Sequence, residues 1–238
     1  EDEMAGESQK RTVRPNGPYI VRGGIPLVRK EQVMSEYGEP LTWKKVDVLT
    51  TESTYRLCRC GQSKTKPFCD STHTLVDFDG HETADTGPIA DRETTFTGQR
   101  IAVGDDHSLC VHSGFCGNRI TNIWKMLKDP DDSVVRGQIM AMVEKCPSGT
   151  LTFALEADGE VVEPDLPKEI AVIPDGPLWV SGGIPVERRD GQPLETRNRM
   201  TLCRCGASSN KPFCDGTHKK VGFTDGPGLP IQLGATSH

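Results

Sequence analysis

Apolar positions in this chain come in short runs fenced by glycine, proline and charge, and none is long. Tyr19, Ile20 and Val21 sit between Gly-Pro and Gly-Gly, and Leu178, Trp179 and Val180 sit in the same frame. β-prone residues bounded by turn formers read as strands. Each Gly-Gly predicts a tight turn into a second short strand, over residues 25–28 and 184–187. Runs at 55–58 and 200–203 are strands that lead out into polar loops. Midway, residues 94–103 alternate well enough for a hairpin turning at Gly98-Gln99, and 150–155 form a further strand. Helical spacing is clearest at Val134, Ile139, Met142 and Val143, behind Asp132 or Ser133 as cap, which predicts a helix through Glu144. Asp70 and Asp215 are placed as N-caps of short helical turns rather than as acids.

The strand pattern is written twice. PNGPYIVRGGIPL at 15–27 returns as PDGPLWVSGGIPV at 174–186. Gly38-Glu39-Pro40-Leu41 matches Gly191-Gln192-Pro193-Leu194, and Lys66-Pro67-Phe68-Cys69-Asp70 matches Lys211-Pro212-Phe213-Cys214-Asp215. The offset shrinks from 159 to 153 to 145, which assigns extra loop residues to the first copy, around 30–36 and 43–54. Duplication predicts two similar folds about a pseudo-twofold axis, a symmetric dimer within one chain and therefore a monomer overall. The expected division is a flexible start at 1–12, a first repeat at 13–88, a middle domain at 89–166 and a second repeat at 167–238.

Composition adds a constraint. Of 238 residues, 34% are hydrophobic and 5% aromatic, with 25 Gly and 17 Pro, so each small domain has a thin core and needs a staple. The net charge of −6, without a basic face or an aromatic ladder, argues against nucleic acid as partner. No apolar run reaches the ~18–20 residues of a membrane span, and the chain does not open on one, so a soluble cytoplasmic protein is expected.

The nine cysteines supply the staple. An odd number, grouped with histidine, fits metal better than a disulfide framework. Cys58, Cys60, Cys69 and His73 follow the spacing C-x-C-x8-C-x3-H, and Cys203, Cys205, Cys214 and His218 repeat it. Three thiolates and one imidazole suit either a tetrahedral zinc or a 2Fe-2S cluster with one histidine ligand; C-x-C is tighter than the usual zinc knuckle. Cys110, Cys116 and Cys146 form a third group, with Cys146-Pro147 in the manner of a ferredoxin's closing ligand and Ser113 where a middle cysteine would stand. Three thiolates suit a 3Fe-4S cluster; the alternative is 4Fe-4S completed by His112 or by solvent. His81, His107 and His238 read as solvated or hydrogen-bonding side chains. Lys66 and Lys211 read equally well as donors towards a cluster and as surface lysines. Tyr19, Trp124 and Trp179 read as core or cap residues rather than electron relays.

CRCGQSKTKPFCDSTH and CRCGASSNKPFCDGTH resemble the CDGSH iron–sulfur family, the NEET-like proteins. The second copy matches throughout, while the first has Ser71 where the family has glycine, which predicts a slightly different local geometry. This resemblance implies a β-rich α+β fold, two β-cap and cluster-binding repeats, and a 2Fe-2S cluster in each. It further implies that Cys58 and Cys60 hold an inner iron and Cys69 and His73 an outer one, with the second copy alike. CVHSGFC and EKCPSGTLTF, within residues 92–156, resemble the divergent mono-cluster ferredoxins, which implies a small ferredoxin-like α+β domain between the repeats. Three clusters would serve electron transfer with a redox partner. The alternative is transfer or storage of iron or clusters towards an apo iron–sulfur acceptor, with protonation of the histidine ligand controlling release. A structural role for the clusters is a further possibility. No nucleotide loop, pocket motif or nucleophile–base pair points to an enzyme.

Overall fold

The computed structural model describes residues 9–128 and 132–225. The expected flexible start at 1–8 and the tail containing His238 lie outside the described residues. In chain order the elements are β1 (Lys10–Val13), β2 (Tyr19–Arg22), β3 (Leu27–Met34), β4 (Pro40–Leu49), β5 (Tyr55–Leu57), β6 (Thr94–Gly98), β7 (Ile101–Asp105), α1 (Ile123–Met126), α2 (Ser133–Glu144), β8 (Leu151–Ala154), β9 (Val161–Val162), β10 (Glu169–Val172), β11 (Leu178–Ser181), β12 (Val186–Glu187), β13 (Arg199–Leu202) and α3 (Thr217–Lys220), a β-rich α+β fold.

The repeats trade strands. One sheet has the order β12-β1-β2-β5, and a second has β13-β11-β10-β3-β4. Strand β12 of the second repeat thus joins the first repeat's sheet, parallel to β1, with Arg11 beside Val186. Strand β3 of the first repeat joins the second sheet, parallel to β10, with Ile170 beside Leu27. The hand-over falls at Pro26 and Pro185. Proline has no N–H to give to a ladder, so the predicted second strands each start two residues late. The two proline carbonyls still accept, from Ile170 N and Arg11 N. Between the sheets lies one core, in which Tyr19, Val21, Ile25 and Leu27 mingle with Leu178, Val180, Ile184 and Val186.

Two expectations are corrected here. Residues 10–12, expected to fray, are strand, because β1 is flanked on one side by β12 and on the other by β2. Lys10 Nζ meets Glu187 Oε1 at 3.0 Å, and Thr12 Oγ1 donates to Glu187 Oε2 at 3.0 Å. Most of the extra residues of the first copy are not loop but a β3–β4 hairpin arm, turned at Ser35, whose hydroxyl accepts from Tyr37 N and Glu39 N, while residues 50–54 are loop as expected. The arm is fastened to the second repeat by Glu169, buried between Lys30 at 2.7 Å and Lys45 at 2.6 Å.

The middle unit has its own sheet, β6-β7-β8-β9, with α2 across it. The hairpin turns at Gln99-Arg100, one residue beyond expectation, with Arg100 at φ 56°. Asp132 caps α2, accepting from Val134 N at 2.8 Å, and Ile139 and Val143 are buried as the spacing predicted, whereas Val134 is exposed. Helix α1 was not anticipated; Asn122 caps it and Ile123 anchors it in the core. No described helix is long and apolar enough to cross a membrane.

Candidate metal centres

Strands β5 and β13 each end on a C-x-C loop, and the return segment lies back on the strand. Cys58 N donates to Pro67 O and Cys69 N to Arg56 O; in the second copy Cys203 N donates to Pro212 O and Cys214 N to Thr201 O. Ser63 Oγ and Ser208 Oγ pin the loop by donating to Phe68 O at 2.6 Å and Phe213 O at 2.7 Å. The Lys66-Pro67 and Lys211-Pro212 bonds are cis. Asp70 and Asp215 do cap, but from one residue farther out than expected: each accepts from the N–H two residues on, at 3.0 Å, while its other oxygen takes Lys64 N or Ser209 N at 2.8 Å. Hydrogen bonds from Thr72 and Lys64 hold the Asp70 carboxyl below the usual carboxylate range.

The donors come together as pairs. Cys58 Sγ lies 3.7 Å from Cys60 Sγ, and Cys69 Sγ lies 3.4 Å from His73 Nδ1. The second copy gives 3.7 Å for Cys203 to Cys205 and 3.3 Å for Cys214 to His218 Nδ1. Two donors on one tetrahedral ion, with bonds of about 2.0–2.3 Å, stand ~3.3–3.8 Å apart, so each pair fits one ion. Among the described residues no three donors converge on a single ion, so the two pairs of a repeat do not merge into one mononuclear site.

Electrostatics set the two thiols of each C-x-C pair apart. Hydrogen bonds from Cys60 and Cys205 push the Cys58 and Cys203 thiols down to about 6, and push the ionisation of the donating partners up. Burial pushes Cys214 up to about 12 and also raises Cys69, Cys110 and Cys116. Burial, then the Lys219 and Arg204 charges, push His218 down to about 4, which leaves its ring neutral. Ligands must be deprotonated to bind, so loading such a site releases protons. Backbone N–H groups point at the sulfurs: Gln62 N to Cys60 and Ala207 N to Cys205, Ser71 N to Cys69 and Gly216 N to Cys214, at 3.4–3.5 Å.

The arginine inside each C-x-C, which the motif reading passed over, is a clamp. Arg59 donates to Arg14 O, Gly17 O and Gly80 O. Arg204 donates to the equivalent Ile173 O and Gly176 O, and pairs with Asp225. Its recurrence in both copies was the available signal. The cysteine loops then meet across the pseudo-twofold: a Cβ on Gly61 would stand 2.9 Å from the Cys205 carbonyl carbon, and one on Gly206 2.7 Å from Cys60 O. Tyr19 OH crosses as well, donating to Cys203 O at 2.7 Å.

Ser71 and Gly216 share one backbone conformation, at φ 71°, ψ 7° and φ 82°, ψ −2°, so the expected difference in local geometry is corrected. What differs is the neighbour. A Cβ at Gly216 would stand 2.7 Å from His112 Cδ2, whereas Ser71 is exposed. The middle unit leans on the second repeat there, and Lys219 Nζ donates to His112 O at 2.6 Å. His218 and Cys214 are buried, while His73 and Cys69 are half-exposed. Gly216→Ser is expected to destabilise by roughly 1–3 kcal/mol through overpacking. Ser71→Gly should be near neutral, because relief of left-handed strain is offset by a freer unfolded chain. Parallel urea unfolding of the two variants checks the contrast.

In the middle, Cys110, Cys116 and Cys146 line one cavity of about 210 Å³, together with Asp105, His112, Ser113 and Trp124. That is room for several atoms, since a water takes about 30 Å³. Cys146 is held from the second repeat: Arg199, on β13, donates to Cys146 O at 3.0 Å, Val143 O at 2.6 Å and Leu151 O at 3.1 Å, and grips Glu163 with two bonds of 2.7 Å. The arm supports the other side, with Gln32 Nε2 donating to Ser113 O at 2.6 Å, Trp43 Nε1 to Lys145 O at 2.9 Å, and Trp43 against Phe115. Trp179 stacks on Trp43, and Lys30 lies over its ring. Lys66 lies over Phe223, and His81 and His107 are exposed.

Against protein-family models, residues 16–74 and 175–219 match the iron-binding zinc finger of CDGSH type, and residues 96–156 match the divergent 4Fe-4S mono-cluster family. Neither the curated proteins nor the solved structures gave a match.

Proposed function

Since this chain carries two CDGSH-type iron-binding segments around a divergent 4Fe-4S mono-cluster segment, we propose that it holds a 2Fe-2S cluster in each repeat and one cluster in the middle, and that it works as a multi-centre electron carrier. The pairing of donors supports this most directly. A zinc ion needs its four ligands around one point, whereas each repeat offers two separate pairs, one for each of two irons. Cys58 with Cys60, and Cys203 with Cys205, would take the inner iron; Cys69 with His73, and Cys214 with His218, the outer one. The middle cavity, too large for one ion, would take its cluster on Cys110, Cys116 and Cys146. Bound clusters supply one-electron chemistry. The chain supplies the rest: a buried, low-dielectric seat for the inner thiolates, and N–H groups that stabilise negative charge on sulfur and so tune the potential.

One observation favours a second reading for the first repeat. His73 and Cys69 are half-exposed, so an apo iron–sulfur acceptor can reach that end of the site. Mixing holo-protein with an apo-ferredoxin and with a one-electron acceptor separates the two. Reduction of the acceptor with iron and sulfide retained supports electron transfer; movement of iron and sulfide supports donation. Both readings require iron with matching acid-labile sulfide, and stoichiometric zinc without sulfide overturns them.

A further inference from the structure

A carboxylate shares the middle cavity with the three cysteines. Asp105 ends β7, where side chains alternate between faces. Val103 and Ile101, two and four residues back, are buried in the core of the middle unit, so Asp105 takes the next inward position. Its side chain is 11% exposed, and its Oδ1 is buried with no hydrogen-bond partner. The basic side chain against it is His107, whose Nδ1 lies 3.8 Å away on a ring that is 73% exposed. The neighbouring Asp106, by contrast, is fully engaged with Arg92 at 2.6 Å and with Ser108. Around Asp105 stand Cys110, Cys116 and Cys146, which become anionic on binding metal. An unpaired carboxylate buried among thiolates is strongly unfavourable unless a cation sits between them.

Given the reading that these three cysteines hold a cluster, we propose that Asp105 is its fourth protein ligand and that the middle centre is 4Fe-4S. A four-iron cluster takes one protein donor per iron, and three thiolates with one carboxylate fill that number. His112 fits the fourth corner less well. Its Nδ1 is 3.7 Å from Cys110 Sγ, the separation of two donors on one ion, and its far edge is committed to Gly216. The carboxylate replaces the three-iron assignment drawn from Ser113, which looked for the fourth ligand only within the cysteine run.

The test uses the full chain purified without air, as wild type, Asp105→Asn, Asp105→Cys and His112→Ala, with iron and sulfide counts and EPR before and after brief exposure to air. Wild type is expected to carry about eight irons, four of them in the middle, and to show a reduced four-iron signal beside those of the repeats. In Asp105→Asn the middle cluster loses one Fe2+ in air, and dioxygen takes the electron released as the 2+ four-iron core becomes a 1+ three-iron core. The three-iron signal should therefore appear at least about 10-fold more strongly than in wild type. Asp105→Cys should keep four irons, with altered g-values and a lower midpoint potential. A wild-type middle cluster that is three-iron before air exposure overturns the proposal, as does the same conversion in His112→Ala but not in Asp105→Asn. If Asp105→Asn does not fold, Asp105→Cys decides, and an unchanged spectrum and potential overturn the proposal. Absence of acid-labile sulfide from the wild type is a different failure, that of the cluster reading itself.

Discussion

Gly61→Ala is expected to empty both CDGSH-type sites at once, although it adds one methyl group to one repeat. The methyl would press on the Cys205 carbonyl, so the strain falls on the opposite repeat's ligand loop. Gly61 also sits at φ 76°, which an alanine adopts at a cost of ~1–2 kcal/mol. Backbone has no rotamer with which to step aside, so overpacking adds ~1–3 kcal/mol or more. Together, at about 2–5 kcal/mol or more, these reach the lower end of the stability of a small domain, about 5–15 kcal/mol. Gly183→Ala separates the two terms: its φ is 68° with nothing within 4 Å, so it should lose only the conformational part. Iron content and urea midpoints measured on both variants decide the matter. Equal effects would mean that the contact between the loops carries no weight.

The second large effect is expected at Arg199. Its guanidinium is fully buried, and it holds three carbonyls, one of them of a candidate ligand, besides the Glu163 carboxylate. Arg199→Met removes the charged donor from those acceptors, leaving weaker partners such as Cys146 N on Val143 O and Asn198 Nδ2 on Glu163, and breaking one side of a buried charged network typically costs ~3–5 kcal/mol. Arg199→Lys should rescue little, because a single ammonium cannot reproduce a planar fork reaching four groups. The middle cluster should be lost first, with the spectra of the two repeats persisting. Loading of all three centres in Arg199→Met, with an unchanged urea midpoint, would refute this role.

How far the fold could be read from the chain depended on whether a signal was local. The two groups of candidate donors were legible because C-x-C-x8-C-x3-H is contiguous and occurs twice. Helix α2 and strand β8 were legible from periodicity and a cap. The β3–β4 arm was not, since β4 is exposed over most of its length and its apolar alternation is broken at Lys44-Lys45. Strand β1 reads Lys-Arg-Thr-Val, and its burial arises from partners that the sequence places far away: Val186 lies beside Arg11. Arg199 and Asp105 were missed for the same reason, as a single charged residue carries no spacing to betray its role. Ser71 misled in the opposite direction. The backbone angle is adopted by both residues, and what bars a side chain at Gly216 but not at Ser71 is His112.

The exchange of strands sets an order on how the protein can be made. When residue 73 has left the ribosome, every donor of the first site has been synthesised, yet its sheet still lacks β12 and its cysteine loop still lacks the Gly206 loop that backs it. The 145 residues from Gly61 to Gly206 take roughly 7–30 s to translate at ~5–20 residues per second. Cys146 likewise waits for Arg199. All three sites therefore reach their final shape only after the second repeat has been made.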